Sequence, residues 1–440
     1  MEWHYASALP GVAWPGVPVA SAATRLALLF QLEQSEWMAP QRLRERQMEQ
    51  LDLLLRHARA TVPYYRERLG AGDFDRLPIL TPREVQDHYE ALKSESVPAS
   101  HGAVTEVRTS GSTGMPKRVL KTQVLQHLWE AISLREHRWH RRDLSRKLAA
   151  LRLGSQGTQP SWGGATAGTF VTGPAVGMPL EGAATADEQV EWLRREAPGY
   201  VLTYPSLLGE LARICLSRGI RLPGLLQARA LAEIVTPELR RLCREAWGVP
   251  VIDMYSAVET GYIALQCPEH EHYHVQSEAL LVEVLDERGN PCTPGEMGRV
   301  VVTDLHNFAT PLIRYDIGDF AEPAAGCSCG RGLPVLARIV GRTRNLLATP
   351  DGRRRYAIEG QIKYLDIAPI VQHQLVQTSM HRVEVRIVMR EPPTRHQVEQ
   401  LRAHVAAQMP GGIDVEVVQV ASLSRGPGGK YEDFISLVDS

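Results

Sequence analysis

Apolar residues recur every three to four positions along Ser21–Trp37 and Pro40–Val62, with charged residues filling the other face. That is the pattern of two amphipathic helices. Thr81-Pro82 opens a third helical stretch, Thr81–Val97, with a hydroxyl cap followed by proline. The first hundred residues therefore read as mainly helical. From about residue 104 the texture changes. Ala103–Thr109 reads as a strand, followed by a Gly/Ser/Thr loop and a long helix from about Val124 to Arg142. Lys147–Leu153 is a strand, and Gly154–Gly177 is a glycine-rich loop of a length more often functional than idle. Ala186–Pro198, Pro205–Gly219 and Pro237–Gly248 have helical period and are interleaved with strands at Tyr200–Tyr204 and Val249–Ser256. This alternation predicts βαβ units and a parallel sheet.

Beyond Leu280 the pattern switches to strands separated by turns at Gly289-Asn290-Pro291 and Pro294-Gly295, which reads as an antiparallel or barrel-like region. A basic, turn-rich segment follows at Gly341–Tyr356. The tail then gives strand His381–Met389, helix Thr394–Met409 and strand Asp414–Val420, a small α+β module with its boundary near Arg342–Asn345. The 440 residues suit two or three domains. Lys+Arg 49 against Asp+Glu 50 leaves a net charge of -1. So even a balance provides no global field for nucleic acid or an anionic membrane surface. No apolar run reaches the ~20 residues of a membrane span. Six cysteines are too few for a disulfide scaffold. The N-terminus lacks a basic region before its apolar stretch. A cytoplasmic protein with reduced thiols is expected.

The densest chemistry lies in RTSGSTGMPKR, Arg108–Arg118, between a strand and a helix. Small residues let a backbone close around phosphate oxygens, with its N–H groups as donors. Lys117 adds a point charge. The spacing is not that of a Walker motif. Thr109–Lys117 resembles the phosphate loop of the adenylate-forming enzymes, T-S-G-[ST]-T-G-x-P-K, and the chain looks most like the phenylacetate–CoA ligase branch. The resemblance implies that Thr109, Ser110, Gly111, Ser112, Thr113 and Gly114 hold the phosphates of ATP, with Lys117 catalytic. Four further family motifs follow in order. In DMYSAVETG, Tyr255 would flank the adenine, Ser256 stands where the family has Gly, and Glu259 would hold Mg2+. Val258 replaces a hydroxyl residue there. In PLIRYDIGDF, Asp319 would accept both ribose hydroxyls, with Arg314 or Tyr315 shaping the pocket. In GRTRN, Arg342 would approach the nucleotide and Asn345 stands at the hinge, where the family often has Asp. In SRGPGGKYE, Arg425, Gly429 and Lys430 align in register, and Lys430 would bridge the substrate carboxylate and the α-phosphate.

The fold so implied is α/β. A large N-terminal domain, residues 1–341, would contain doubly wound parallel sheets and a barrel-like subdomain at about 280–341. A small mobile α+β domain, 342–440, would turn about a hinge near 345. The reaction implied joins a carboxylic acid to AMP with release of pyrophosphate. The acyl group then passes to a nucleophile, by default the thiol of coenzyme A. An amine, a carrier-protein thiol, or activation of another oxyanion such as nitrite for aryl-amine diazotisation fits the same motifs. A non-catalytic nucleotide-binding protein has only Val258 and Asn345 in its favour.

Two separated Cys/His clusters, CPEHEHYH from Cys267 and CSCGR from Cys327, suggest a closed tetrahedral zinc site between 267 and 329. The expected ligands are Cys267, His274, Cys327 and Cys329, with His270 or His272 as substitutes for His274. Cys215 and Cys243 read as small hydrophobes and Cys292 as a turn residue. The basic stretch Arg135–Lys147 reads as a solvated helix face. Gly352–Arg355, after the hinge, leans toward phosphate contact. Trp162 reads as an acyl-pocket wall or as packing, and Tyr204 lies in a segment resembling the family's carboxylate pocket. With no Lys or Arg in those loops, a compact aromatic acid is the expected substrate. Glu233 stands where relatives carry Gly-Gly-Glu, here preceded by Leu231 and Ala232. Oligomeric state has no signature in the sequence.

Overall fold

The computed structural model describes residues 3–66, 68–69, 74–108, 117–180, 184–342, 346–349, 354–356, 364, 367–389, 391–423 and 434–438. The amphipathic stretches near the N-terminus form helices α1 (Ala20–Ser35) and α2 (Pro40–Thr61). α2 buries Leu43, Leu51, Leu54, Leu55 and Ala58. Two short helices follow, α3 (Pro63–Arg66) and α4 (Pro82–Asp87). Thr81 caps α4 in a reciprocal box with Glu84, which satisfies two orphan N–H groups. Strands β1 (Val104–Arg108) and β2 (Arg118–Thr122) pair antiparallel. Helix α5 (Gln123–Trp139) then starts on the Thr122 hydroxyl.

The expected parallel sheet comprises β3 (Leu148–Leu151), β4 (Gly157–Gln159), β5 (Ala175–Met178), β6 (Tyr200–Thr203), β7 (Gln227–Ala230) and β8 (Val251–Ile252). Their order is β4-β5-β3-β6-β7-β8. Only β4, at one edge, runs antiparallel. Helices α6 (Ala186–Glu196), α7 (Pro205–Ser217) and α8 (Pro237–Trp247) connect the strands, and they share an apolar core with the sheet.

After β8 the chain enters a second, seven-stranded sheet with only Asp253 between. It contains β9 (Met254–Ala257), β10 (Gly261–Gln266), β11 (Tyr273–Val275), β12 (Leu280–Leu285), β13 (Gly298–Asp304), β14 (Tyr315–Ala324) and β15 (Val335–Arg342). Every pair in it is antiparallel, in the order β12-β13-β14-β15-β11-β10-β9. The region read as antiparallel or barrel-like is this sheet, and it already begins at Met254. Asp253 fixes the junction. It accepts the Tyr273 hydroxyl at 2.6 Å, and its N–H donates to Gln266 at 2.9 Å.

The C-terminal part has its own core, including Leu375, Val383, Val385, Ile387, Leu401 and Val405. Strands β16 (Leu346–Ala348) and β17 (Arg354–Tyr356) pair. A four-stranded sheet follows, built from β18 (Ile370–Ser379), β19 (Arg382–Met389), β20 (Asp414–Gln419) and β21 (Phe434–Ser436), with α9 (Arg395–Ala406) between β19 and β20. Gln377 on β18 is fully buried. Its amide donates to Ala348 O at 2.8 Å and accepts the Ala348 N–H and the Ser436 hydroxyl at 2.9 Å each.

The basic stretch Arg135–Lys147 departs from expectation. Arg135, Glu136, His137, Trp139, His140 and Arg142 are all buried rather than solvated. α5 stops three residues early because Arg141 turns left-handed, at φ 47. That turn sends Arg142 back under the helix onto Glu136, which also accepts Arg229 at 3.0 Å. Arg135 pairs with Glu278 at 2.6 Å and lies 3.4 Å from Glu36. Breaking such a pair leaves an uncompensated buried charge, which costs about 3–5 kcal/mol. Arg135→Met is therefore expected to lower the unfolding free energy measured in urea by about that amount. A loss below about 1 kcal/mol would show that Glu36 and Glu278 do not depend on it.

Candidate active site

β6 runs into Tyr204, β7 toward Glu233, and β8 through Asp253 to Tyr255 and Glu259. These are the C-terminal ends of parallel strands, where open α/β sheets place their ligands. Glu233 accepts the Ser206 N–H at the start of α7 at 2.9 Å. Ala232 before it sits at φ 67, a strained backbone angle for a side chain with a Cβ.

Two polar groups form here. In the first, Lys117 Nζ donates to Glu259 Oε1 at 3.0 Å and to the Tyr315 hydroxyl at 2.6 Å. Tyr315 in turn donates to the same Oε1 at 3.1 Å. Burial pushes the Glu259 carboxyl up, but the Lys117 ammonium and the two hydrogen bonds outweigh it and hold it below the ordinary carboxylate range. Burial, with Glu259 beside it, pushes the Tyr315 phenol up, so it stays a donor. In the second group, the Tyr255 hydroxyl donates to Asp319 Oδ2 at 2.8 Å, and Arg342 Nε lies 3.6 Å from Oδ1. Asp319 and Arg342 face each other across β14 and β15. β14 supplies both Tyr315 and Asp319. Gly318 between them stands at φ 83 with open space around it, so the backbone angle rather than crowding requires glycine.

The structure thus gathers Lys117, Tyr255, Glu259, Tyr315, Asp319 and Arg342 from four separated motifs. Ser256, on β9, and Val258, on the turn after it, are exposed. The loop residues Thr109–Gly114, the hinge residue Asn345, and Arg425, Gly429 and Lys430 lie outside the described residues, as do the side chains of Gly352–Arg355. Arg314 is not part of the pocket. Its guanidinium turns away to Asp75 O and Leu77 O at 2.6 Å each and to Glu283 at 3.0 Å. Trp162 is packing, not an acyl-pocket wall. Its N–H donates to Arg146 O at 2.8 Å, and its ring lies edge-on to Tyr200, 5.2 Å away. Arg146 and Tyr200 mark the N-terminal ends of β3 and β6, the far side of the sheet from Tyr204.

The expected metal ligands also converge. One donor atom each from Cys267, His274, Cys327 and Cys329 lies within 4.8 Å of the others. Cys267 Sγ and Cys327 Sγ are 3.8 Å apart, and Cys329 Sγ is 3.4 Å from His274 Nε2. A tetrahedron with Zn–S near 2.3 Å sets its sulfurs about 3.8 Å apart, so the donor set fits zinc. Burial pushes the His274 imidazole down to about 4, leaving it neutral and able to ligate at pH 7. His270 and His272 are not in the cluster. Their rings stack on each other, and His270 Nε2 lies 2.9 Å from the Ser328 hydroxyl.

Lys117→Met removes the cation but not the burial of Glu259. At neutral pH the variant should be less stable by about 3 kcal/mol. The wild-type carboxylate, held low, contributes its stability above the unfolded value and loses it as pH falls through the folded one. In the variant, protonation relieves a buried charge instead. The stability gap should therefore narrow as pH falls through the carboxylate range. Denaturant midpoints at pH 7 and pH 4 measure it, and a constant gap would place the coupling elsewhere.

Residues 18–309 match the family model for AMP-binding enzymes. A phenylacetate-coenzyme A ligase of Thermus thermophilus is 26% identical over 91% of this chain and 98% of its own. The phenylacetate-coenzyme A ligase of Escherichia coli is 24% identical over 90% and 95%. Among solved structures, a 2-hydroxyisobutyryl-CoA ligase in its postadenylation state superposes with a TM-score of 0.70 at 19% identity, over 92% of this chain and 91% of that one. The matched model spans most of the chain and takes in Lys117, Tyr255 and Glu259 of the cluster: this chain belongs to the AMP-binding enzyme family and is an AMP-forming ligase of the adenylate-forming kind.

Proposed function

We propose that the chain activates an aromatic carboxylic acid with ATP and passes the acyl group to the thiol of coenzyme A. The observation that carries this reading is the convergence of Lys117, Glu259 and Tyr315 beside Tyr255, Asp319 and Arg342 at the strand ends. In the first step a carboxylate oxygen of the acid attacks the α-phosphorus of ATP. The bond to the β-phosphate oxygen breaks, and pyrophosphate leaves with the electron pair. In the second step the thiol attacks the acyl carbon, AMP leaves, and the thiol proton passes to solvent. Thr109–Gly114 and Lys117 would hold the phosphates, and the ionised Glu259 would anchor Mg2+, a hard cation that suits carboxylate oxygen. Bound there, the ion neutralises charge on the phosphates. Asp319, acceptor-only, suits a ribose diol, with Arg342 steadying it. Tyr255, fixed by its bond to Asp319, would flank the adenine.

Residues 342–440 would act as a lid about Asn345, bringing Lys430 to the carboxylate and the α-phosphate, where charge develops. Coenzyme A as acceptor and an aromatic acid as substrate rest on the relatives, both phenylacetate-coenzyme A ligases. With Trp162 at the wrong end of the sheet, Tyr204 is the one that remains of the two aromatic side chains expected at the acyl pocket. All six cysteines are unpaired, in keeping with a reducing cytoplasm. Among the described residues no helix is long and apolar enough to cross a membrane. Zinc at Cys267, His274, Cys327 and Cys329 would be structural, because four protein ligands close the site.

Lys430→Ala is expected to lower pyrophosphate–ATP isotope exchange at least a hundredfold while leaving ATP affinity within about threefold, since the charge acts in the transition state. Wild-type exchange in the variant would remove Lys430 from the first step. Elemental analysis should find one zinc per chain. Cys329→Ser should lose it and melt several degrees lower with little change in KM, because the binding energy of a closed site is folding energy. Metal-free protein of unchanged stability would exclude the zinc.

A further inference from the structure

A cavity of about 740 Å³ opens where β7 and β8 begin, lined there by Gln227, Pro250 and Val251. Tyr204, Glu233 and Tyr255 lie beyond the other ends of the parallel strands, so the cavity is separate from the nucleotide site. Its size is that of a small-molecule pocket. Six arginines line it, from the end of α5 (Arg135, Arg138, Arg141), from α8 (Arg240, Arg244) and from the segment after the metal-ligand cysteines (Arg331). Four glutamates, 33, 36, 269 and 271, oppose them. The lining thus holds two positive charges in excess. Behind it, Arg142 and Arg229 share the single carboxylate of Glu136, and Glu278 on Arg135 offsets the charge left over, so the excess stays at two.

Arg135 is spent on Glu278 and Arg138 on Glu33, and Arg331 Nε lies 3.3 Å from Glu36, but no carboxylate closely holds Arg141, Arg240 or Arg244 among the described residues. Arg141 is exposed, and among the described residues its guanidinium has no partner. Glu271 serves both Arg240 and Arg244, at 3.7 and 3.8 Å, beyond hydrogen-bond length. Arg331 stands between two indoles, its guanidinium carbon 4.7 Å from the Trp37 ring centre and 4.6 Å from that of Trp139. His140, more than nine-tenths buried, lines the same wall, and its Nε2 has no hydrogen-bond partner among the described residues. Guanidinium forks match the paired oxygens of phosphate. Two indoles and an imidazole beside them suit an attached ring.

We propose that this cavity is a second ligand site, for a small phosphorylated anion carrying two or more negative charges. Arg141 is its free donor, Arg244 its loosely paired one, and Arg331 its fixed one. The site owes nothing to the adenylation reading, since none of its residues belongs to the nucleotide motifs.

Calorimetric titration with inorganic pyrophosphate tests it. The enzyme is compared with an R141E/R244E variant, both positions being exposed, after melting curves confirm that each protein is folded. A second variant, R46E/R56E, reverses two exposed arginines of α2 and controls for net charge. The proposal expects a binding event in wild type that R141E/R244E weakens at least tenfold and R46E/R56E leaves within twofold. Any pyrophosphate bound at the nucleotide site is common to all three proteins and cancels. Equal binding by wild type and R141E/R244E would overturn the proposal, as would equal losses in both variants or no binding at millimolar pyrophosphate. Citrate run in parallel separates the chemistries: citrate binding without pyrophosphate binding would refute the phosphate assignment.

Discussion

The buried contact of Lys117 with Glu259 and Tyr315 is the joint on which the rest depends. It fastens the strand after the phosphate loop to the turn after β9 and to the head of β14, three segments distant in sequence. An ammonium and a carboxylate taken from water cost several kcal/mol each, recovered only by close pairing and by hydrogen bonds to the remaining atoms. Here the Tyr315 hydroxyl makes those bonds, and the neutral phenol lets it bridge both ions. The same cluster holds the carboxylate ionised, the state in which it can take a hard cation.

That joint works because two sheets of different kinds meet beside it. The parallel sheet offers its strand ends, and Asp253 alone separates β8 from the first strand of the antiparallel sheet. Tyr255 and Glu259 therefore sit on and just after β9, where the chain has crossed from one sheet to the other, while Tyr315 and Asp319 arrive on β14 of the same antiparallel sheet. The Cys/His cluster ties the β10–β11 turn to the segment between β14 and β15. Beneath these, Arg135 and Arg142 carry buried charge across from α5. These pairs hold the molecule's layout at the expense of desolvation.

Much of this was legible in the sequence. The helices of the first hundred residues, the alternation that makes the parallel sheet, and the clustering of Cys267, His274, Cys327 and Cys329 all follow from spacing and residue type. The strands that went unread have physical reasons. β7 is four residues long and carries Arg229, whose charge is neutralised only by Glu136 from another element. β18 buries Gln374 and Gln377, polar residues that spoil its alternation. Arg135–Lys147 looked solvated because its counter-charges, Glu36, Arg229 and Glu278, lie far off in sequence. Trp162 was misplaced for a similar reason: a glycine-rich loop does not reveal which end of a sheet it covers. Tyr315, by contrast, adjoined a readable motif, and only the fold decides between it and Arg314.

The central claim is that a carboxylate oxygen becomes bonded to the α-phosphorus at this site. Oxygen transfer tests that most directly. The enzyme would be incubated with ATP, magnesium, coenzyme A and phenylacetate carrying 18O in both carboxylate positions, and the nucleotide product weighed by mass spectrometry. The account predicts AMP containing one 18O per turnover, with pyrophosphate unlabelled. Unlabelled AMP, or label in inorganic phosphate alongside ADP, would contradict it.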